Sequence, residues 1–169
     1  MDALDAIISR RSIRKYTPDP VPDDLVQKIL GAAMNAPSAG NQQSWQFIVV
    51  NERKSLDAIA EILPHGKMLN QAACAIVVCG DLSHEKHKGY WVQDCSAATQ
   101  NMLLAAHALG LGAVWLGVYP REERMKGIAE FLKVPEQVVP FCVVSVGWPA
   151  EKVEQVKRYE EKKVHWNGW

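Results

Sequence analysis

From Cys95 to Pro120 the chain contains no Asp, Glu, Lys or Arg. In a protein whose residues are 22% charged, that run constrains the fold more than any other feature. It is not a membrane span. Gln100, Asn101 and His107 interrupt it, and Gly110 and Gly112 divide it before about 20 clean apolar residues accumulate. A helix with so little charge on any face is instead expected to be buried on nearly all sides. In a chain of 169 residues such a helix calls for a second subunit to cover it, which predicts an obligate homodimer. A helix enclosed in the core of a single chain is the alternative.

Length and composition bound the rest. A chain of 169 residues is expected to form one domain, spanning 1–169, with a proper core. The 19 basic residues balance the 19 acidic ones, which argues against a nucleic-acid-coating protein, and apolar content is ordinary, which argues against disorder. The N-terminal MDALDAII shows no basic region followed by a long apolar run, so a cytoplasmic protein is expected. Cys74, Cys79, Cys95 and Cys142 form no C-x-x-C pair and no zinc-like spacing with His. They read as reduced core thiols, and no metal site is expected.

Taken in order, Leu4, Ile7 and Ile8 recur at helical spacing and predict a short helix over 2–9. The prolines of Thr17–Pro22 make an extended connector. Asp23 or Asp24 then caps a helix with Leu25, Val26, Ile29, Leu30 and Ala33 on one face, ending at Asn35–Pro37. Ser38–Ser44 reads as a loop of small and amide-bearing residues. Strands are expected at Trp45–Val50, Ala75–Cys79, Gly112–Tyr119 and Val138–Gly147, with helices at 55–63, 90–109 and 121–132. Gly110 is placed to end the charge-free helix. Residues 151–163 read as a charged arm, helical or extended. This order of elements favours an α+β or α/β sandwich with helices covering a mixed sheet.

The chemistry-bearing stretch is Arg10–Tyr16, RRSIRKY, with four cations in the six positions 10–15. Such a cluster repels itself unless an anion sits among the charges. Arginines offer planar donors suited to phosphate or carboxylate, and Ser12 adds a hydroxyl. By itself the stretch also reads as a solvated basic turn. No convincing nucleophile and base pair is present, nor a P-loop, G-x-S-x-G elbow or H-E-x-x-H, and Gly110-x-Gly112 lacks the third glycine of a dinucleotide fingerprint. A basic cluster, an amide-rich loop and a glycine-interrupted aromatic strand are the equipment of a cofactor site.

Four blocks then carry a resemblance: RRSIRKY, APSAGNQQSWQF at 36–47, GLGAVWLGVY at 110–119 and RYEEKKVHWNGW at the C-terminus. In order and spacing they resemble the signature blocks of the FMN-dependent nitroreductase family. The resemblance implies an α+β fold, a three-layer α-β-α sandwich on a central mixed, mainly antiparallel sheet, in an intertwined homodimer with FMN at the subunit interface. By similarity, Arg10 and Ser12 meet the FMN phosphate with Arg11 in support, and Arg158 closes on it from the C-terminal arm. Arg14 reaches the pyrimidine end, where a cation stabilises the negative charge of reduced flavin. Pro37, Ser38, Ala39 and Asn41 match a loop contributed by the other subunit. Gln43 matches an amide at the flavin edge. Leu116 and Gly117 match a strand passing the ring near N5, where a glycine allows close approach. Lys67 resembles a lysine that some relatives place near the flavin. Ser44 stands where the family often has proline, which is expected to loosen the loop around Gln43. The segments 65–67 and 84–89 are the candidate lids.

The activity so implied is reduction of nitro compounds, quinones or related acceptors by NADH or NADPH, in a ping-pong cycle carried by FMN. No catalytic side chain is required, because hydride passes directly. Two other readings stay open: a flavin-binding or storage protein without turnover, and a specialised enzyme of the same fold for flavin destruction, dehalogenation or dehydrogenation.

Overall fold

Two nearly unbroken apolar segments, CAIVVCGD and VVPFCVVSVG, demand burial on both faces, and they occupy the middle of the sheet. A computed structural model describes residues 1–169. The strands are β1 (Trp45–Val50), β2 (Cys74–Asp81), β3 (Gly112–Gly117) and β4 (Val138–Gly147), in the order β1-β2-β4-β3. All three pairings are antiparallel. The register slips between Val78 and Cys79, beside Pro140, which has no N–H to give the ladder.

Helices α1 (Ala3–Ser9), α2 (Asp23–Met34), α3 (Arg53–Ile62), α4 (Trp91–Ala108) and α5 (Glu122–Leu132) complete the α+β sandwich. Strand alternation sorts the core into two layers. Ile76, Val78, Cys142 and Val144 pack with Ile29 of α2 and with Cys95, Ala98 and Met102 of α4. Val77, Cys79 and Val143 pack with Leu56 and Ile59 of α3 and Ile128 of α5. All four cysteines are buried and free. Burial pushes the Cys74 thiol up to about 11 and those of Cys79 and Cys142 up to about 12, which leaves them inert as nucleophiles.

Two helix ends differ in how well local signals place them. Gly110, at φ +81°, follows the end of α4, and Leu111 N–H reaches the Ala106 carbonyl at 2.8 Å while Gly110 N–H reaches that of His107 at 3.0 Å. This is a Schellman closure, as the glycine predicts. At α2 the cap residue is Pro22, not Asp23 or Asp24, and no side chain caps it. Both aspartates lie in the first turn, where they complement the helix dipole.

Within the single chain, α4 is buried on one face only. Cys95, Ala98, Thr99, Met102 and Ala106 are buried against the sheet. Ser96, Ala97, Leu104 and Ala105 on the other face are only half-buried. Leu4, Ile7 and Ile8 of α1 also stand exposed. The arm 151–169 is without helix or strand apart from a 3₁₀ turn at Glu161–Lys163, and Trp166 and Trp169 are fully in solvent. No helix is long and apolar enough to cross a membrane.

Candidate functional site

The basic segment becomes ordered by running along the free edge of β3. Ser12 forms a parallel bridge with Ala113, and Ile13 N–H donates to the Ala113 carbonyl at 3.1 Å. Further on, Tyr16 pairs with Pro149, and its hydroxyl meets that of the buried Ser145 at 2.7 Å. Burial of this pair pushes the Tyr16 hydroxyl's pKa up. Glu151 accepts from the backbone N–H groups of Arg14 at 2.6 Å and Lys15 at 3.2 Å. Its carboxylate therefore fixes the backbone and leaves the Arg14 guanidinium free.

At one end of this segment three guanidinium groups converge. Burial and the neighbouring charges of Arg11 and Arg158 hold the Arg10 pKa below its ordinary value. None of the chain's six ion pairs involves Arg10, Arg11, Arg14 or Arg158. Arg11 is partly consumed: Nε donates to the Glu154 carbonyl at 3.0 Å and Nη1 to those of Ile8 and Arg10 at 3.0 and 2.6 Å. Its Nη2 is buried without a partner. An unpaired, self-repelling cation cluster with an orphaned donor has the chemistry of a phosphate site. His107 is the titratable neighbour. Its Nε2 lies 2.7 Å from the Ser9 hydroxyl, and burial followed by Arg10 and Arg11 lowers its pKa.

The other end of the segment opens into a cleft of about 680 Å³. Arg14, Lys67, Trp115, Leu116, Gly117 and Arg124 line it, and no carboxylate does. Leu116 is buried while Gly117 is exposed, and a Cβ added at Gly117 would meet nothing within 4 Å. Arg124 of α5 donates from Nη1 to the Gly117 carbonyl at 2.9 Å. Arg53 of α3 donates to the carbonyls of Leu69 and Ala72, which fixes the turn presenting Lys67 and Met68. Arg10 and Arg14 are four residues apart on extended chain, which puts their Cα atoms about 13 Å apart. The residues present therefore fit a flat, ring-bearing phosphate ester such as FMN.

The loop 36–44 lies elsewhere. It enters β1 at Trp45, which pairs with Gly80; Gly117 pairs with Cys142 at the same end of the sheet but on the far edge. Three strand spacings separate them, roughly 14 Å. Within one chain, Pro37, Ser38, Ala39, Asn41 and Gln43 therefore do not join Arg14, Leu116 and Gly117.

Asp94, buried in the first turn of α4, organises this loop. It accepts from the Ala39 N–H at 2.9 Å, the Gln42 amide at 2.6 Å and the Ser44 hydroxyl at 3.1 Å. Gln42 in turn accepts at Oε1 from the Lys86 and His87 N–H groups at 2.9 and 3.0 Å. Ser44 thus ties the loop instead of loosening it. Gln43 is exposed at φ +48°, and its N–H donates to the Ser38 hydroxyl at 3.0 Å. Gly40 and Asn41 are also left-handed, both at φ +53°, so the loop holds a strained form that the Asp94 network over-determines. Sequence reasoning missed Gln42, Asp94, Trp115 and Arg124. For Asp94 a signal was available: it is the last charge before the charge-free run.

Comparison with known proteins bears on the fold and the family. The model of the nitroreductase family matches residues 7–68 and 61–148. A protein of Methanothermobacter thermautotrophicus, provisionally named NADH dehydrogenase/NAD(P)H nitroreductase, is 52% identical over 100% of this chain and 88% of its own length. The crystal structure of a protein of the same provisional name from Bacteroides thetaiotaomicron superposes with a TM-score of 0.95 at 45% identity, covering 99% of this chain and 98% of that one. A provisionally named nitroreductase from Desulfovibrio desulfuricans, solved in complex with FMN, superposes with a TM-score of 0.85 at 33% identity over 100% and 99% of the two chains. The chain belongs to the nitroreductase family.

Proposed function

We propose that this protein is an NAD(P)H-dependent oxidoreductase that holds FMN and reduces nitro compounds, quinones or related acceptors. The observation that carries the reading is a single extended segment with two functional ends. Arg10, Arg11 and Arg158 crowd at one end without an ion pair, and Arg14 faces an open cleft beside Leu116 and Gly117 at the other. The FMN complex of the Desulfovibrio relative supports the choice of cofactor.

When bound, FMN supplies reversible two-electron chemistry at its ring. The chain supplies position and field. Arg10 and Ser12 hold the phosphate, Arg158 closes over it, and Arg11 anchors the local backbone. Arg14 balances negative charge at the pyrimidine end. Gly117 leaves the ring face open to a second reactant, and Leu116 gives the cleft an apolar wall. With no carboxylate in the cleft, donor and acceptor are handled by orientation alone.

A second copy of the chain completes the site. It would bring Pro37, Ser38, Ala39, Asn41 and Gln43 to the cleft that the first copy keeps roughly 14 Å away from them. The uncovered face of α4, the exposed Leu4, Ile7 and Ile8, and the solvent-stranded tryptophans supply the apolar surface for it.

Steady-state kinetics test the cycle. NADH or NADPH varied against a quinone at several fixed levels gives parallel double-reciprocal lines if both reactants use one cleft in turn. Intersecting lines contradict the shared cleft.

A further inference from the structure

The cleft carries more positive charge than the proposed cofactor accounts for. Arg14, Lys67 and Arg124 line it together with His65, with no Asp or Glu among them. In the reading above, on which this inference rests, Arg14 serves the flavin. Neither Lys67 nor Arg124 enters any ion pair. Over the whole chain 19 basic and 19 acidic residues cancel, so this excess is local and not compositional.

Arginine also lines the space farther out, there beside one carboxylate. A second cleft of about 420 Å³ shares Pro64 and Arg124 with the first and adds Arg121. Its one carboxylate is Glu123. Arg121 and Arg124 are three residues apart at the start of α5, so both rise from one side of the helix. No side chain caps that helix end, and its first-turn N–H groups share the turn with Glu122 and Glu123. The Nη1 bond to the Gly117 carbonyl fixes Arg124 at the junction of the two clefts and leaves the rest of its fork free.

A ligand with a flat ring in the first cleft and phosphates farther out matches this layout. A compact acceptor fills the first cleft without reaching Arg121. We infer that Arg124, assisted by Arg121, holds a phosphate group of the nicotinamide dinucleotide donor while its nicotinamide lies beside Leu116 and Gly117. Guanidinium groups bind phosphate through paired planar donors, which a single lysine cannot reproduce. The phosphate is either the diphosphate common to NADH and NADPH or the 2′-phosphate of NADPH alone.

The test compares FMN-loaded wild type with Arg124→Gln, Arg124→Lys, Arg121→Gln and Glu123→Gln, using NADH and NADPH with a neutral quinone. Arg124→Gln should lower kcat/KM for the donor at least about ten-fold, through KM, and lower kcat/KM for the neutral quinone, which carries no phosphate, far less. Equal losses for both donors assign the diphosphate, and a loss confined to NADPH assigns the 2′-phosphate. Arg124→Lys should recover part of the loss. Glu123→Gln should act with the opposite sign and tighten the donor. Arg121→Gln, at an exposed position, keeps the test open if Arg124→Gln fails to fold. Calorimetric titration with NAD⁺ and NADP⁺ should rank the variants identically without turnover. Unchanged donor kinetics in Arg124→Gln and Arg121→Gln overturn the inference, and so does loss of FMN from Arg124→Gln. If wild type takes up no FMN, the flavin reading falls separately. Titration with NADP⁺ then decides this one: binding that depends on Arg124 upholds it, and no binding overturns it.

Discussion

The Asp94 carboxylate accepts from the Gln42 side-chain amide at 2.6 Å, joining the start of the longest helix to a loop 52 residues earlier in the chain. Two more donors, from Ala39 and Ser44, converge on the same carboxylate. Removing it strands buried polar groups, each at a cost of about 1–3 kcal/mol. Asp94→Ala should lose about 2–4 kcal/mol in urea denaturation, and Asp94→Asn less. A loss below about 0.5 kcal/mol for Asp94→Ala would show that the network does not hold the loop.

Arg14 has no side-chain partner to lose, so its removal should spare stability and strike the cofactor. Arg14→Ala should weaken FMN binding about 10- to 100-fold, the range of one hydrogen bond to a charged group. The bound flavin should also become harder to reduce, because a cation beside its reduced form is gone. Fluorescence titration and a potentiometric titration read the two effects. Unchanged affinity and unchanged potential would remove Arg14 from the site.

His107 makes stability depend on pH. Its folded-state pKa is lowered by burial and by Arg10 and Arg11, so the unfolded chain takes up the proton first. The contribution is intact above the ordinary histidine range, near about 6.5, and is lost as pH falls from there through the lower folded value. Denaturation midpoints should fall on acidification, and His107→Gln should flatten that slope. An anion among the arginines reverses their effect, so FMN should raise the His107 pKa in an NMR titration. A pKa indifferent to FMN would place the phosphate elsewhere.

Two glycines should respond with opposite signs. A Cβ at Gly80 would enter the ring of Trp91, which stacks edge-on against Tyr119 with centroids 4.9 Å apart. Gly80→Ala should cost about 1–3 kcal/mol by overpacking. At Gly31, inside α2, an added Cβ meets nothing within 4 Å, and Gly31→Ala should stabilise by about 0.5–1 kcal/mol. Thermal melts of the pair settle both. Equal responses would mean that the Trp91 environment is not closely packed.

The fold was legible because its signals are local. Periodicity, prolines and Gly110 place all five helices and four strands, with the ends of α1, α3, α4, α5 and β2 shifted by one or two residues and β3 ending two residues early. The parts that could not be read are contacts between elements. Nothing near Arg124 in the sequence indicates that its guanidinium reaches the Gly117 carbonyl. The Ser44 hydroxyl finds Asp94 across the fold, so its substitution for proline has the opposite effect to the one expected from local backbone freedom. Gln43, the amide matched to the flavin edge, stays exposed, and the left-handed turn points its neighbour Gln42, which no local signal marked, into the protein. The charge-free run marked a helix that one chain does not cover: its sheet-facing side is buried and the other side only half-buried.

The visible spectrum of the purified protein, recorded anaerobically before and after NAD(P)H, tests the central claim most directly. The account predicts oxidised-flavin bands, present on isolation or after adding FMN, that bleach when the dinucleotide is added and return when a quinone follows. A protein that shows no flavin even in excess FMN, or whose bound flavin stays oxidised in the presence of both dinucleotides, would contradict it.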